Sequence, residues 1–356
     1  MTSTSATHEP DTPHEEQVAT RPRVSVVVPM FQAESHIEAC LDSLKNQLLK
    51  KLEVIVVDDA STDMSRALVQ RYMKEHPQFS IRLYQLRENR GVSVARNEGW
   101  TLARGDYVGF VDPDDTVSPD MYLELLRQVE RSGGEAAGCG AQIVERGRLT
   151  GTLSLGHGNA AHSGIQLLEY MCRGAFPSSV CFMLFPVELV TRVRFRPGVR
   201  FEDFIFLTEA LPLLSEVVVT DRPLYTYQRR SGTETGSLRS SVTDLLVGQE
   251  AATQAIDKLW DPVRSRPLVA HLALRMNRTM AHQVFAFGEG TQLGEEVLGM
   301  ALDNTKWKQI LRCLVSGDLP IVASSAALKL SPSLYGRAFR RRRSRRVRRA
   351  TGRGQV

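Results

Sequence analysis

From residue 24 onward, short apolar runs alternate with amphipathic stretches, and that alternation constrains the fold more than anything else in the chain. Val24-Ser25-Val26-Val27-Val28 runs into Pro29, and 53–57 runs into Asp58-Asp59. Residues 81–86 and 106–111 repeat the pattern. Between them, 35–47 carries Ile37, Cys40, Leu41 and Leu44 at helical spacing, and 64–75, 92–103 and 118–131 also read as helices. A nearly continuous apolar run of this length is a strand buried on both faces. The fold class is therefore α/β: a mostly parallel sheet flanked by helices. Ser61, Thr62 or Asp63 is expected to cap the second helix, and Ser118-Pro119 to open the fourth with proline at its first position.

In such sheets ligands bind beyond the carboxyl ends of the strands, here the loops 29–34, 58–63, 87–91 and 112–117. The last holds Asp112-Pro113-Asp114-Asp115, three carboxylates around a proline that pushes Asp112 towards an extended conformation. Like charges this close repel unless a cation sits among them, and hard oxygen ligands suit Mg²⁺ or Mn²⁺. Further along, 136–144 reads as a strand with a turn at Gly147 and a hairpin back to 155. Residues 165–173 and 202–214 read as helices and 217–220 as a strand; 243–316 is mainly helical.

Five clusters then stand in order: Val28-Pro29-Met30-Phe31-Gln32; Val56 to Asp63; Asn89-Arg90-Gly91 to Gly99; Gly105-Asp106-Tyr107 with the Asp112 turn; and Arg200-Phe201-Glu202-Asp203-Phe204. Together, over roughly 24–230, they resemble a family 2 glycosyltransferase, a nucleotide-sugar-dependent inverting enzyme of the GT-A (Rossmann-like) fold. The resemblance implies a nucleotide diphosphate sugar as donor, a UDP-sugar first, and a divalent metal (Mn or Mg). The acceptor it implies is a hydroxyl of a glycan or lipid-linked molecule in cell-surface polysaccharide synthesis.

It also implies roles. Asp59 reads the base, with Asp58 beside it and Pro29 and Phe31 flanking. Arg90, Gly91, Arg96 and Asn97 border the nucleotide sugar, Arg90-Gly91 at a helix N-terminus that favours anions. For Asn97 the alternative is support of the helix–sheet junction. Asp114 is the direct metal ligand, Asp112 turns to ribose or metal, and Asp115 supports. Asp203, assisted by Glu202, is the general base, against the alternative of a helix N-cap. Tyr227, Arg229, Arg230 and Ser237 are candidate diphosphate or acceptor contacts. Gln32 stands where the family usually has Asn, and the 231–237 link is longer and more acidic than usual.

Charge divides the chain. The formal charge is +5, yet ten Arg fall within 337–356, leaving 35 basic against 40 acidic residues elsewhere. The Arg-rich tail therefore suits an anionic membrane surface, or else stands solvated; a specific nucleic-acid partner is not expected. Leu334, Tyr335 and Phe339 are expected at the lipid interface. Five scattered cysteines suit reduced thiols, and no apolar run is long enough to span a membrane, so the expected place is cytoplasmic, peripheral on the inner face of the cell membrane. The expected organisation is a disordered leader (1–23), a glycosyltransferase domain (24–240), a helical region (241–330) and a basic tail (331–356). A nucleotidyltransferase would need a Gly-rich basic loop after the first strand, which 29–34 lacks. A non-catalytic binder acting through the tail leaves the acidic clusters without a role.

Overall fold

The computed structural model describes residues 21–154, 159–229 and 237–352, with 345–352 in backbone only. The expected leader up to residue 20, and Arg230 to Gly236, lie outside the described residues.

The first half is the alternation read above: β1 (Val24–Met30), α1 (Ile37–Lys45), β2 (Leu52–Asp58), α2 (Ser65–Glu75), β3 (Ile81–Gln85), α3 (Val92–Thr101) and β4 (Tyr107–Phe110). These four strands pair in parallel, in the order β3-β2-β1-β4. β2 shows why both faces are covered. Val54 and Val56 pack with Cys40, Leu41 and Val69 of α1 and α2, whereas Ile55 and Val57 meet Ala95 of α3. Gly99 lets α3 lie close to β1: a Cβ there would stand 2.4 Å from Val27 Cγ1.

The second half is mixed. β5 (Thr116–Val117), α4 (Met121–Ser132), β6 (Ala136–Glu145) and β7 (Arg148–Leu153) are followed by β8 (Ala160–His162), α5 (Gly164–Arg173) and β9 (Met183–Pro186). α6 (Glu202–Ala210) and β10 (Val217–Arg229) complete the sheet, which continues β4-β9-β6-β10-β5. β9 runs antiparallel between β4 and β6, so the mostly parallel sheet expected carries its antiparallel pairs in the second half, where β6 with β10 is parallel. The opening of α4 also differs from expectation. Ser118 N–H is drawn into pairing with Leu224 O (2.8 Å), and the helix begins at Met121, not at Pro119.

A helical region follows: α7 (Asp244–Leu259), α8 (Pro262–Phe287), α9 (Gln292–Asn304), α10 (Trp307–Val315), α11 (Leu319–Leu330) and α12 (Pro332–Gly352). α7 packs on α6, joining this region to the sheet domain, and α9 to α12 gather around α8. The root of the basic tail is therefore helical and docked. Tyr335 Oη lies 2.9 Å from His282 Nε2, and Phe339 stacks on His282 at 4.3 Å. Tyr335 and Phe339, expected at a lipid interface, are instead held against α8; Leu334 stays exposed. Among the described residues no helix is long and apolar enough to cross a membrane.

Candidate active site

The loops at the carboxyl ends of β1 and β2 are sewn together by side chains. Gln32, in a left-handed conformation (φ 50°), accepts the Thr62 and Asp63 N–H groups on Oε1 (3.2 and 3.1 Å), and Ser61 Oγ accepts the Gln32 N–H (3.2 Å). Asp63 takes the expected turn role, accepting from Ser65 N–H (3.0 Å) at the start of α2; Ser61 serves the loop clamp and caps nothing. Pro29 is buried near the end of β1, beyond the last β4 pair at Val27 and Phe110, where its missing N–H leaves no ladder bond unmade. Phe31 follows and is 46% exposed.

Asp58 and Asp59 are both buried. Asp59 accepts the N–H groups of Arg90 and Gly91, each at 2.8 Å, and so fixes the loop that leads into α3. Gly91 has φ +87° and ψ 162°, a region essentially open to glycine alone. Asp58 accepts the Ser61 N–H on Oδ1 (3.0 Å), while its Oδ2 is buried with no partner among the described residues. The Arg90 side chain is exposed.

Arg96 is the centre of the arrangement. It rises from α3, its side chain is 3% exposed, and its guanidinium lies over the Phe195 ring at 5.4 Å. Nη2 donates to Asp112 (2.9 Å); Nη1 donates to both Glu202 (2.8 Å) and Asp203 (2.6 Å). One cation thus joins the turn after β4 to the first turn of α6. Beneath it, Phe195 stacks on Phe206 at 4.2 Å beside Trp100 and Phe110, an apolar floor that excludes water. Asn97 takes the supporting role: its amide donates to Phe195 O (2.8 Å) and accepts Phe195 N–H (2.9 Å).

Asp203 is not a helix cap. Phe201 occupies that position in a left-handed conformation (φ 63°), a strained state worth roughly 1–3 kcal/mol for a non-glycine residue. The Asp203 Oδ2 accepts the N–H of Val180 (3.1 Å), far away in sequence. Burial pushes its carboxyl up, the Arg96 charge pulls it down, and Glu202 and Asp112 push it up again, leaving it at about 7. Its side chain is still 17% exposed, enough to meet a ligand.

The acidic turn is locked from the other side by β10. Buried Asp115 accepts from Tyr225 Oη (2.6 Å) and from Gln228 N–H (2.7 Å), and Asp112 N–H donates to the same Tyr225 Oη (3.3 Å). Burial, with Asp112 and Asp114 nearby, raises Asp115 to about 8. Asp114 is half-buried on that turn. Beyond Tyr225, Tyr227 packs partly buried against the core and Arg229 is exposed; Arg230 lies outside the described residues. Ser237 Oγ accepts from Arg239 (3.4 Å). The Val180 amide carried no signal in the linear pattern. Tyr225 stood only as the neighbour of the candidate Tyr227, and Gln32 only as a departure from the family's usual Asn.

Residues 25–189 match glycosyl transferase family 2. The chain carries a family 2 glycosyltransferase domain. The uncharacterized glycosyltransferase EpsJ of Bacillus subtilis (strain 168) is 32% identical over 213 residues, 58% of this chain and 61% of that one. The putative teichuronic acid biosynthesis glycosyltransferase TuaG of the same organism is 39% identical over 113 residues, 32% of this chain and 44% of its own. The chain thus spans about three fifths of EpsJ's length and less than half of TuaG's. Among solved structures, S. aureus TarS 1-349 in complex with UDP-GlcNAc superimposes with a TM-score of 0.67 at 21% identity, covering 86% of this chain and 91% of that one. The shared architecture is the GT-A fold; Asp59, Arg96 and Asp112 fall within the matched residues, and Asp203 lies beyond them.

Proposed function

We propose that the protein transfers a sugar, with inversion, from a nucleotide diphosphate sugar to a hydroxyl of a glycan or lipid-linked acceptor in cell-surface polysaccharide synthesis. The observation that carries this is Arg96, which holds the Asp112 turn and the Glu202-Asp203 pair on one guanidinium beside a carboxyl poised at about 7. Asp203 takes the acceptor's proton, the acceptor oxygen attacks the anomeric carbon from the face opposite the diphosphate, and the bond to the diphosphate breaks. Glu202 and Arg96 set the position and basicity of Asp203.

On the donor side, Phe31 and Pro29 flank the base and the Asp58–Asp59 pair accepts from it, uracil being the base whose imide N–H suits a carboxylate. Arg90, Gly91 and the amides opening α3 favour the anionic donor. Tyr227, Arg229, Arg230 and Ser237 are the candidate contacts to the diphosphate or acceptor. The two hard-oxygen carboxylates presented by one turn fit a divalent Mn or Mg ion, which is usually held by one or two carboxylates plus substrate phosphates. Asp114, with Asp112, would hold it; when bound, it supplies positive charge to the departing diphosphate. UDP-GlcNAc and UDP accompany TarS structures, and GDP-Man with Mn²⁺ a mannosyltransferase from Pyrobaculum calidifontis, which supports a nucleotide diphosphate donor here.

The domain limits at 24–240 and 241–330, and attachment of the Arg tail to the inner face of an anionic membrane, belong to the same proposal. Its test is Asp203→Asn. The variant should keep UDP affinity and lose transfer by about 10²–10⁴-fold, while NMR of the wild-type product shows the inverted anomer. Near-normal turnover in the variant, or a retained anomer, contradicts the assignment.

A further inference from the structure

α10 presents apolar residues on two sides. Ile310 and Cys313 face inward, against Ala270 and Leu274 of α8 and Ile321 of α11. Trp307, Leu311, Leu314 and Val315, at i, i+4, i+7 and i+8, line the outer side and are exposed, Val315 at 90%. Exposed Val263 at the start of α8, at 86%, extends this surface across a cleft of about 510 Å³. Of the residues lining that cleft, Arg266, Lys308 and Arg312 are cationic, and none is acidic. Water-facing apolar residues grouped this way mark a docking surface, whereas singly scattered ones do not.

We propose that this face seats the protein in the interfacial layer of an anionic membrane, with Trp307, Leu311 and Val315 entering the headgroup boundary and Arg266, Lys308 and Arg312 meeting lipid phosphates. Charge decides the occupant. A second copy docked about a twofold axis through this face would gather six cations in one interface with no acidic residue among those lining the cleft. Anionic lipid neutralises them, and a tryptophan beside an aliphatic stripe with a basic rim is the composition of an interfacial helix. The tail alone does not supply this. Its aromatic residues Tyr335 and Phe339 are held on α8 near His282, about 28 Å along that helix from Val263 at 1.5 Å per residue.

The surface is separate from the catalytic residues, so its test stands or falls apart from glycosyl transfer. The full-length chain is mixed with vesicles of phosphatidylglycerol and phosphatidylcholine, or of phosphatidylcholine alone, in salt of about 1 M, where screening over roughly 3 Å weakens the tail arginines and this surface's own cations alike and leaves the apolar contribution to be read. Tryptophan emission should shift to the blue with the anionic vesicles, the shift should vanish in Trp307→Phe, and sedimentation with vesicles should fall at least tenfold in Leu311→Asp/Val315→Asp. Lys308→Glu/Arg312→Glu, which leaves the apolar stripe intact, should lose the preference for phosphatidylglycerol at physiological salt as read by the Trp307 shift. Equal vesicle binding by the apolar double variant overturns the proposal. So does concentration-dependent self-association without vesicles that this variant abolishes, or an emission shift that survives Trp307→Phe.

Discussion

At the scale of the residue, the chemistry turns on how Arg96 balances three carboxylates. With Asp203 as the proposed base, a carboxyl at about 7 is half ionised at neutral pH, so transfer should fall about tenfold for each unit below that value. Arg96 lowers the Asp203 carboxyl against burial, so Arg96→Gln should move the acidic limb of the kcat/KM profile to higher pH. An unmoved limb would detach Arg96 from the base. Glu202 and Asp203 stood out as candidates in the sequence because charged residues between aromatics are costly to bury without a purpose, and Asp112 because three carboxylates crowd one turn. The role of Asn97 was not, since its partner, the Phe195 backbone, is brought beside it only by the fold. Gln32 reads as a departure from family habit, yet it accepts from two backbone amides, Thr62 and Asp63, as a loop clamp.

At the scale of the element, legibility followed burial. β1, β2 and β4 declared themselves because strands covered on both faces are nearly all apolar. β9 did not: four residues wedged antiparallel between β4 and β6 have no length in which to show a period. β10 was read only to Thr220 because Asp221-Arg222-Pro223 interrupts it, and the pairing with β6 shifts register at that point. The placement of Arg96 depends on how closely α3 approaches β1 through Gly99. Gly99→Ala puts a methyl 2.4 Å from Val27 Cγ1, and overpacking of this kind should cost about 1–3 kcal/mol in urea unfolding. Because α3 carries Arg96, activity should fall further than the lost stability explains. A neutral substitution would show that α3 has room to spare.

At the scale of the whole molecule, the sheet domain meets the helical region where α5 packs on α8 and where α6, the helix that also presents Asp203, packs on α7. The composition foretold a tail that differs in charge from the body, but not its docking, since helical pairing between Tyr335, Phe339 and His282 joins residues more than 50 positions apart. Burial pushes His282 down to about 4, with Arg278 adding to it. The unfolded chain then binds a proton below its ordinary value near 6.5 that the folded chain refuses, so stability is lost as pH falls from about 6.5 towards 4. The melting temperature should drop between pH 7 and 5, and less so in His282→Gln; parallel curves would place the acid sensitivity elsewhere. In the proposed donor site the acidic turn binds diphosphate through a metal while Asp203 acts only on the acceptor. Calorimetry of UDP with and without Mn²⁺, in the wild type, Asp114→Ala and Asp203→Asn, separates the two roles. UDP binding should depend on Mn²⁺, be abolished in Asp114→Ala and be preserved in Asp203→Asn; affinity indifferent to Mn²⁺ or unchanged in Asp114→Ala would overturn the donor site.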